Sequence, residues 1–193
     1  FGRSPETVAE TVRLAADAGL AGISIEDTAL PAADAYEPSL ATERIVAAVE
    51  AARSLPNDFV LLARADGVMN RSYDLGEGIN RLLAFERAGA DALYLPLPPD
   101  MDAVRTICSS VTKPVNVLAA GPFTRIGYDE FAAAGVARIS LGSALARVTH
   151  RAIHDAAKAM FDHGDFSPLG HGIAGSAIDA LLIDGSSAGP AGR

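Results

Sequence analysis

Polar side chains stand at or near the ends of apolar stretches of this 193-residue chain, and their types suit the binding of a cation or a small anion. They are Glu26, Asp27, Arg64, Asp66 and Asn116. Carboxylate oxygens are the ligands that hard cations such as Mg²⁺ prefer. The planar guanidinium of an arginine suits a carboxylate or a phosphonyl group. For Glu26 and Asp27, an ordinary acidic loop after a strand is the alternative.

Arg64 and Asn116 also have structural interpretations. A charge at the end of an apolar strand is costly unless it is paired. Arg64 therefore binds an anionic substrate, or forms an ion pair with Asp66 or Glu26, and the two roles are compatible; we favour substrate binding. Asn116 lies between apolar residues, and a buried amide needs hydrogen-bond partners. It either donates to a substrate oxygen or is satisfied within the core.

An alternation of helices and buried strands must position these residues. Ser4-Pro5-Glu6 predicts a helix start, with Ser as the N-cap and Pro in the first turn. The pattern then predicts strands at 21–25, 59–63, 92–95, 114–118 and 138–142, and helices at 39–53, 76–88, 100–109, 124–134 and 143–163. Such alternation is typical of a parallel sheet covered by helices.

An open doubly wound sheet and a closed barrel both fit this order. No G-x-G-x-x-G loop follows a strand, which disfavours a dinucleotide-binding sheet. Polar residues at successive strand ends favour a barrel, and a (β/α)₈ TIM-type barrel needs eight strands and typically ~250 residues. We therefore expect an α/β chain that is an incomplete (β/α)₈ barrel, with about five βα units and its N-terminal strands missing.

We expect this partial barrel domain to span residues 1–165. The remaining residues, 166–193, are expected to form a C-terminal tail with one short helix over 173–183 and a disordered stretch over the last ten residues.

Composition excludes several classes of protein. Hydrophobic residues make up 49% and charged residues 21% of the chain, which is typical of a globular protein. The net charge of −8 disfavours a nucleic-acid-binding surface. No run of 18 apolar residues occurs, so we expect no membrane span. With one cysteine, Cys108, no internal disulfide can form, and a cytoplasmic location is the default expectation.

Several stretches resemble motifs of the phosphoenolpyruvate mutase/isocitrate lyase superfamily. Residues 22–27 (GISIED) resemble its G-[IV]-x-[IL]-E-D strand, and residues 61–66 (LLARAD) resemble its [IL]-x-A-R-[TA]-D strand. Residues 89–94 (GADALY) resemble a third segment, and 114–118 (PVNVL) and 135–142 (GVARISLG) are similar to the mutase-like branch. The resemblance covers about residues 1–160, in the family's order.

The resemblance implies a (β/α)₈ barrel that binds Mg²⁺ and a 2-oxo acid or enolpyruvate, often as a homo-oligomer. It implies that Glu26 is catalytic and holds a metal-bound water, while Asp27 orients the metal's water shell. It implies that Arg64 is catalytic and binds the small anionic substrate together with Asn116. Phe1-Gly2 is similar to the end of the family's D-x-[ED]-x-G-[YF]-G stretch, so we expect the main metal ligands upstream of this chain and expect the chain alone to be inactive.

One segment departs from the lyase branch, which carries a K-K-C-G-H loop after the E-D strand. Here residues 28–38 contain no Cys, Lys or His, which disfavours cleavage of isocitrate or methylisocitrate by a thiol. We expect Mg²⁺-dependent C–C or P–C bond cleavage or rearrangement of a 2-oxo acid or phosphonopyruvate-like substrate through an enolate. The alternatives are an oxo-acid decarboxylase or C–C lyase of the same superfamily, a non-catalytic barrel remnant, and an unrelated phosphate-binding barrel synthase.

The lack of a thiol in this segment leads to a prediction about Cys108. Replacing it with serine in the full-length protein is expected to leave turnover within about threefold of the wild type, a change in barrier of under about 1 kcal/mol. Steady-state kinetics of Cys108→Ser measure this, with circular dichroism to verify folding. A loss of about a hundredfold in a folded variant would show that the chemistry needs this thiol.

Overall fold

A parallel sheet is the framework that positions the polar residues. The computed structural model describes residues 2–29, 31–32 and 34–187. The sheet has five strands whose spatial order follows the chain: β1 (Gly22–Glu26), β4 (Val60–Arg64), β5 (Ala92–Tyr94), β6 (Val115–Leu118) and β7 (Arg138–Ser140). Every neighbouring pair in it is parallel. The predicted α/β class with a parallel sheet is therefore confirmed.

Helices connect the strands, and side-chain caps define several of their starts. Ser4, Asp74 and Asp100 each accept a hydrogen bond from a backbone N–H three residues later, as N-caps do. The helices are α1 (Pro5–Asp17), α2 (Pro38–Arg53), α3 (Gly67–Asn70), α4 (Leu75–Arg87), α5 (Met101–Ser110), α6 (Tyr128–Ala133), α7 (Ala144–His163) and α8 (Gly175–Ser187).

The structure differs from the predicted elements in two places. The helix expected over 124–134 is divided into a 3₁₀ helix (Gly121–Arg125) and α6, because Ile126 and Gly127 have extended backbones. The segment after β1 contains a two-stranded antiparallel pair, β2 (Thr28–Ala29) and β3 (Asp34–Ala35), which sequence periodicity did not predict. Strands of two residues are too short to show a periodic pattern.

The chain forms two compact units that divide between Gly142 and Ser143 and not at residue 165, so α7 belongs to the second unit. The second unit consists of α7, a 3₁₀ helix (Ser167–His171) and α8. The expectation of disorder is wrong for residues 184–187, because α8 continues through Ser187. Phe1, part of one resemblance motif, and residues 188–193 lie outside the described residues. No helix in the described part of the chain is long and apolar enough to cross a membrane.

The core of the first unit lies between the sheet and the helices that cover it. One face of the sheet contributes Leu61, Ala63 and Leu93, which alternate with residues of the opposite face. They belong to one buried cluster with Ala48 of α2 and Phe85 of α4. All five side chains are fully buried. The helices α2 and α4 therefore hold β1, β4 and β5 in the positions that bring their carboxyl ends together.

Phe85 provides a test of this packing. Phe85→Ala is expected to lower the free energy of unfolding by about 3–5 kcal/mol, because it removes a buried ring and leaves a cavity. Leu14→Ala on α1, whose side chain is exposed, is the control and should change stability by no more than about 0.5 kcal/mol. Urea unfolding of both variants checks the prediction, and equal effects would contradict the proposed core.

Candidate active site

A row of polar side chains crosses one face of the sheet near the carboxyl ends of its first strands. Glu26, Arg64, Tyr94, Asn116 and Arg138 are successive register partners on the five strands. Because register partners in a parallel sheet point to the same face, their side chains meet. The predicted site residues Glu26 and Arg64 are thereby brought into direct contact, and Asn116 lies two strands from Arg64.

Arg64 is held on several sides. Its Nη1 lies 2.7 Å from Oε1 of Glu26, and its Nη2 lies 3.1 Å from Oδ1 of Asp66. Its Cζ lies 4.8 Å from the centroid of the Tyr94 ring, an arrangement that favours a cation over the ring face. The side chain of Arg64 retains 21% of its exposure. Both ion pairs considered from the sequence are thus formed, and the guanidinium still reaches the surface of the site.

Asp66 is a buried carboxyl next to two other carboxyls. Burial raises the pKa of Asp66 to about 6, Arg64 opposes this shift, and the negative charges of Glu26 and Asp27 add to it. The proton affinity of this group therefore depends on how closely Arg64 stays paired with it.

Asp27 points away from the row, although it follows Glu26 directly. Its Oδ1 accepts the backbone N–H of Asp66 at 2.8 Å. Its Oδ2 accepts the hydroxyl of Tyr73 at 2.6 Å and Nη1 of Arg81 at 3.1 Å. Both oxygens of Asp27 thus have protein donors, and its expected role in orienting a metal's water shell stays a prediction.

The described residues do not by themselves form a cluster of metal ligands. Within them, no group of three or more His, Cys, Asp or Glu side chains is placed to hold a metal ion. Glu26 is the carboxylate that suits a contact with a metal ion, because its Oε1 pairs with Arg64 and its side chain keeps 14% of its exposure. Since Mg²⁺ keeps several waters and uses few carboxylates, Glu26 fits the water-mediated contact that the resemblance implies.

A buried arginine, Arg44, binds the backbone carbonyl of Glu26. Nη1 of Arg44 donates to the backbone carbonyl of Glu26 at 2.6 Å, and Nη2 donates to the carbonyl of Gly2 at 3.1 Å. Burial lowers the pKa of Arg44, whose Cζ lies 4.3 Å from the centroid of the Tyr36 ring. The end of β1 is therefore tied to α2 through this side chain.

Asn116 is satisfied by its neighbours on β7. Its Nδ2 donates to Oγ of Ser140 at 3.0 Å, and its Oδ1 accepts from Nη1 of Arg138 at 2.9 Å. The side chain is buried, so the structural alternative considered from the sequence is observed. An additional contact with substrate stays a prediction, because the amide carries a second N–H.

These features agree with the comparison with known families. The family model for phosphoenolpyruvate phosphomutase matches residues 1–161, which is most of the chain. The chain belongs to this family. The superfamily named from the sequence motifs, which joins phosphoenolpyruvate mutases and isocitrate lyases, is thereby confirmed.

A solved structure, that of a "putative lyase/mutase" from Burkholderia cenocepacia J2315, is 41% identical with a TM-score of 0.89, and the match covers 98% of this chain and 67% of that one. An oxaloacetate decarboxylase from Paraburkholderia xenovorans (strain LB400) is 31% identical over 77% of this chain and 50% of its own length. A 2-methylisocitrate lyase from Escherichia coli (strain K12) is 32% identical over 71% of this chain and 48% of its own length. The chain thus spans about half the length of these two enzymes.

Sequence reasoning missed several residues around the site. Sequence reasoning assigned Tyr94, Arg138 and Ser140 to strands and to family motifs but not to the site, although their register places them beside Arg64 and Asn116. Arg81 has Glu77 one helical turn away, a spacing typical of a surface pair, yet its side chain is buried. Tyr73 carried no sequence signal. The register that sets Arg138 beside Asn116 is known only from the structure.

The raised pKa of Asp66 leads to a prediction about stability. Its usual pKa is 3.8 and its folded value about 6, so between these values the folded state holds the proton and the unfolded state does not. The contribution of Asp66 to the free energy of unfolding therefore rises as the pH falls from about 6 to about 4 and is lost as the pH rises through 6.

Asp66→Asn removes this titration. The stability of the wild type relative to Asp66→Asn should therefore increase as the pH is lowered from 6 to 4. Urea unfolding of both proteins at several pH values measures the difference. Parallel pH profiles would show that Asp66 has no raised pKa.

Proposed function

We propose that the full-length protein cleaves a bond adjacent to the carbonyl of a 2-oxo acid, with Mg²⁺ as cofactor. The reaction would pass through an enolate. The observation that carries this proposal is the placement of Arg64 in register with Glu26 at the carboxyl end of the parallel sheet, the end at which barrel enzymes build their sites. The proposal includes a fold in which these five strands belong to an eight-stranded barrel.

The charges of the site support a role for a cation. Arg64 faces the carboxylates of Glu26 and Asp66, so its positive charge is already offset before an anion arrives. An anionic substrate therefore needs a further positive charge nearby. Mg²⁺ bound beside Glu26 would supply that charge and would stabilise negative charge on the carbonyl oxygen as the bond breaks.

Arg64 and Asn116 have separate tasks in this proposal. Arg64 donates hydrogen bonds to the anionic group of the substrate, while the Tyr94 ring beneath it and the two carboxylates beside it keep the guanidinium in one orientation. Asn116, whose amide is oriented by Ser140 and Arg138, donates its second N–H to a substrate oxygen. Glu26 would hold a water bound to Mg²⁺.

Cleavage of a C–C bond is the form of this reaction that we favour. Two of the relatives are named as an oxaloacetate decarboxylase and a 2-methylisocitrate lyase, and both activities break a C–C bond. The segment 28–38 has no thiol. This favours decarboxylation of an oxo acid over a lyase step in which a cysteine thiol acts as the acid.

Cleavage or rearrangement of a P–C bond is the second candidate, because the matching family model is that of phosphoenolpyruvate phosphomutase. The two candidate reactions are distinguished by incubating the full-length protein and Mg²⁺ with oxaloacetate or with phosphonopyruvate. Release of pyruvate and CO₂ from oxaloacetate supports the first candidate, and phosphorus NMR of the second mixture tests the other. Binding of either compound without turnover would favour a non-catalytic barrel.

Substitutions at Arg64 test its role. Arg64→Ala is expected to reduce kcat/KM about a hundredfold, because loss of a charged contact in a closed site costs on the order of 3 kcal/mol. Arg64→Lys should recover only part of this, since an ammonium cannot copy the planar fork. Arg13→Ala on α1, whose ion pair is exposed, is the control. Near-normal kcat/KM in folded Arg64→Ala with a lower Tm would assign Arg64 a structural role only.

Glu26→Gln tests the metal contact. The substitution keeps the size of the side chain and removes its charge, so the Mg²⁺ concentration for half-maximal rate should rise by about tenfold or more, as expected when a group that supports a metal site is lost. Arg64→Ala should leave that concentration nearly unchanged. Titration of Mg²⁺ against initial rate measures both, and an unchanged Mg²⁺ requirement in Glu26→Gln would remove Glu26 from the metal site.

A further inference from the structure

A buried group of three side chains lies directly behind the candidate site. This Asp27 cluster consists of Asp27, Tyr73 and Arg81, in which the Tyr73 hydroxyl and the Arg81 guanidinium both donate to Oδ2 of Asp27. The side chains of Asp27 and Arg81 are 1% and 6% exposed. A carboxylate buried this deeply stays in place only while its donors are present.

The cluster is connected to Arg64 through one backbone group. Oδ1 of Asp27 accepts the N–H of Asp66 at 2.8 Å, and Oδ1 of Asp66 accepts from both Nε and Nη2 of Arg64. Asp27 thus holds the residue that holds the guanidinium. A shift of the Asp27 carboxylate would move the Asp66 backbone and, with it, one of the two ion-pair partners of Arg64.

The cluster also fixes the segment that follows β1. Nη1 of Arg81 donates to the carbonyl of Tyr36 at 2.9 Å, and the N–H of Tyr36 donates to the carbonyl of Asp27 at 2.9 Å. Tyr36 is the residue directly after β3, so the far end of the segment is tied to α4 and to Asp27 together. Arg81 therefore links three parts of the chain through one guanidinium.

Gly67 leaves the space that the Tyr73 ring of the cluster occupies. A Cβ added at Gly67 would lie 2.0 Å from that ring. The Tyr73 ring also lies under Arg81, whose Cζ is 4.5 Å from the ring centroid. The positions of Tyr73 and Arg81 are thus set by close packing as well as by hydrogen bonds.

We propose that Tyr73 and Arg81 are positioning residues for Arg64, acting through the Asp27 carboxylate and the Asp66 backbone. The proposal rests on the proposed function in one respect, namely that Arg64 contacts the anionic group of the substrate. Because Tyr73 and Arg81 do not touch the substrate, their loss changes how well Arg64 is placed to bind it. The effect is therefore expected mainly in KM.

Tyr73→Phe is the principal variant, because it removes one hydrogen bond to Asp27 and keeps the ring. In the full-length protein we expect the amide of Asp66 to exchange about tenfold faster by NMR, since its acceptor is less firmly held. With oxaloacetate as the probe substrate, we expect KM to rise about tenfold and kcat to stay within about twofold.

Three further variants separate positioning from general stability. Glu77→Gln alters the side chain that accepts from Nε of Arg81, whereas Asp27 and Tyr36 accept from Nη1, and it is expected to leave Asp66 exchange and KM within about twofold of the wild type. Arg81→Met removes the donor to Asp27 and Tyr36, so its KM should rise. Arg81→Lys keeps a positive charge near Asp27 but cannot reach both acceptors, so its KM should lie between those of the wild type and Arg81→Met.

The outcomes are distinct. Faster Asp66 exchange together with a raised KM in Tyr73→Phe supports the proposal. A lower Tm with unchanged Asp66 exchange and unchanged KM would overturn it, as would an equal rise of KM in Glu77→Gln. If the wild type does not turn over oxaloacetate, the proposed decarboxylation fails, and the Asp66 exchange rates still decide whether Tyr73 and Arg81 hold this backbone.

Discussion

The buried carboxylate of Asp27 needs hydrogen-bond donors, and the protein supplies them from three parts of the chain. They are the backbone of Asp66 after β4, the hydroxyl of Tyr73 before α4, and the guanidinium of Arg81 within α4. An ionised group removed from water is costly unless each oxygen is paired. The end of β1, the end of β4 and the start of α4 are therefore held together, and the geometry around Arg64 depends on that arrangement.

Alternation along β1 explains why two adjacent acids have different surroundings. Successive residues of a strand point to opposite faces, so Glu26 faces the row of polar side chains and Asp27 faces the helices. On the first face, Arg64 balances Glu26 and Asp66, and on the second, Arg81 balances Asp27. The acid pair after β1 thus divides into one carboxylate beside the candidate site and one that supports it.

Glycines allow the close strand approach and the sharp turns on which the sheet depends. A Cβ at Gly22 would lie 2.4 Å from the backbone oxygen of Val60, so the first residue of β1 must be glycine for β4 to approach so closely. Gly89 and Gly135 follow helix ends with positive φ angles of 97° and 87°, a conformation that glycine adopts without strain. They reverse the chain into β5 and β7 and help to set where Tyr94 and Arg138 enter the sheet.

The sequence by itself determined most of the elements and the identity of the residues at the strand ends. The five strands and the main helices lie within a few residues of their predicted positions, because apolar periodicity, Ser and Asp caps and Ala-Gly helix ends are local signals. The short pair β2–β3 and the division of the helix over 124–134 carry no such signal. The motifs also placed the chain in its superfamily, and Glu26 and Arg64 at one edge of the sheet.

Only the tertiary structure decided which side chains meet. The register set Asn116 beside Arg138 and stacked Arg64 over Tyr94, and strand patterns alone leave register open. Tyr73 and Arg81 reach Asp27 from positions 46 and 54 residues away, a distance that no local pattern spans. Arg81 has the spacing of a surface pair with Glu77, yet it is buried, because burial depends on what packs against a helix face and not on the composition of that face.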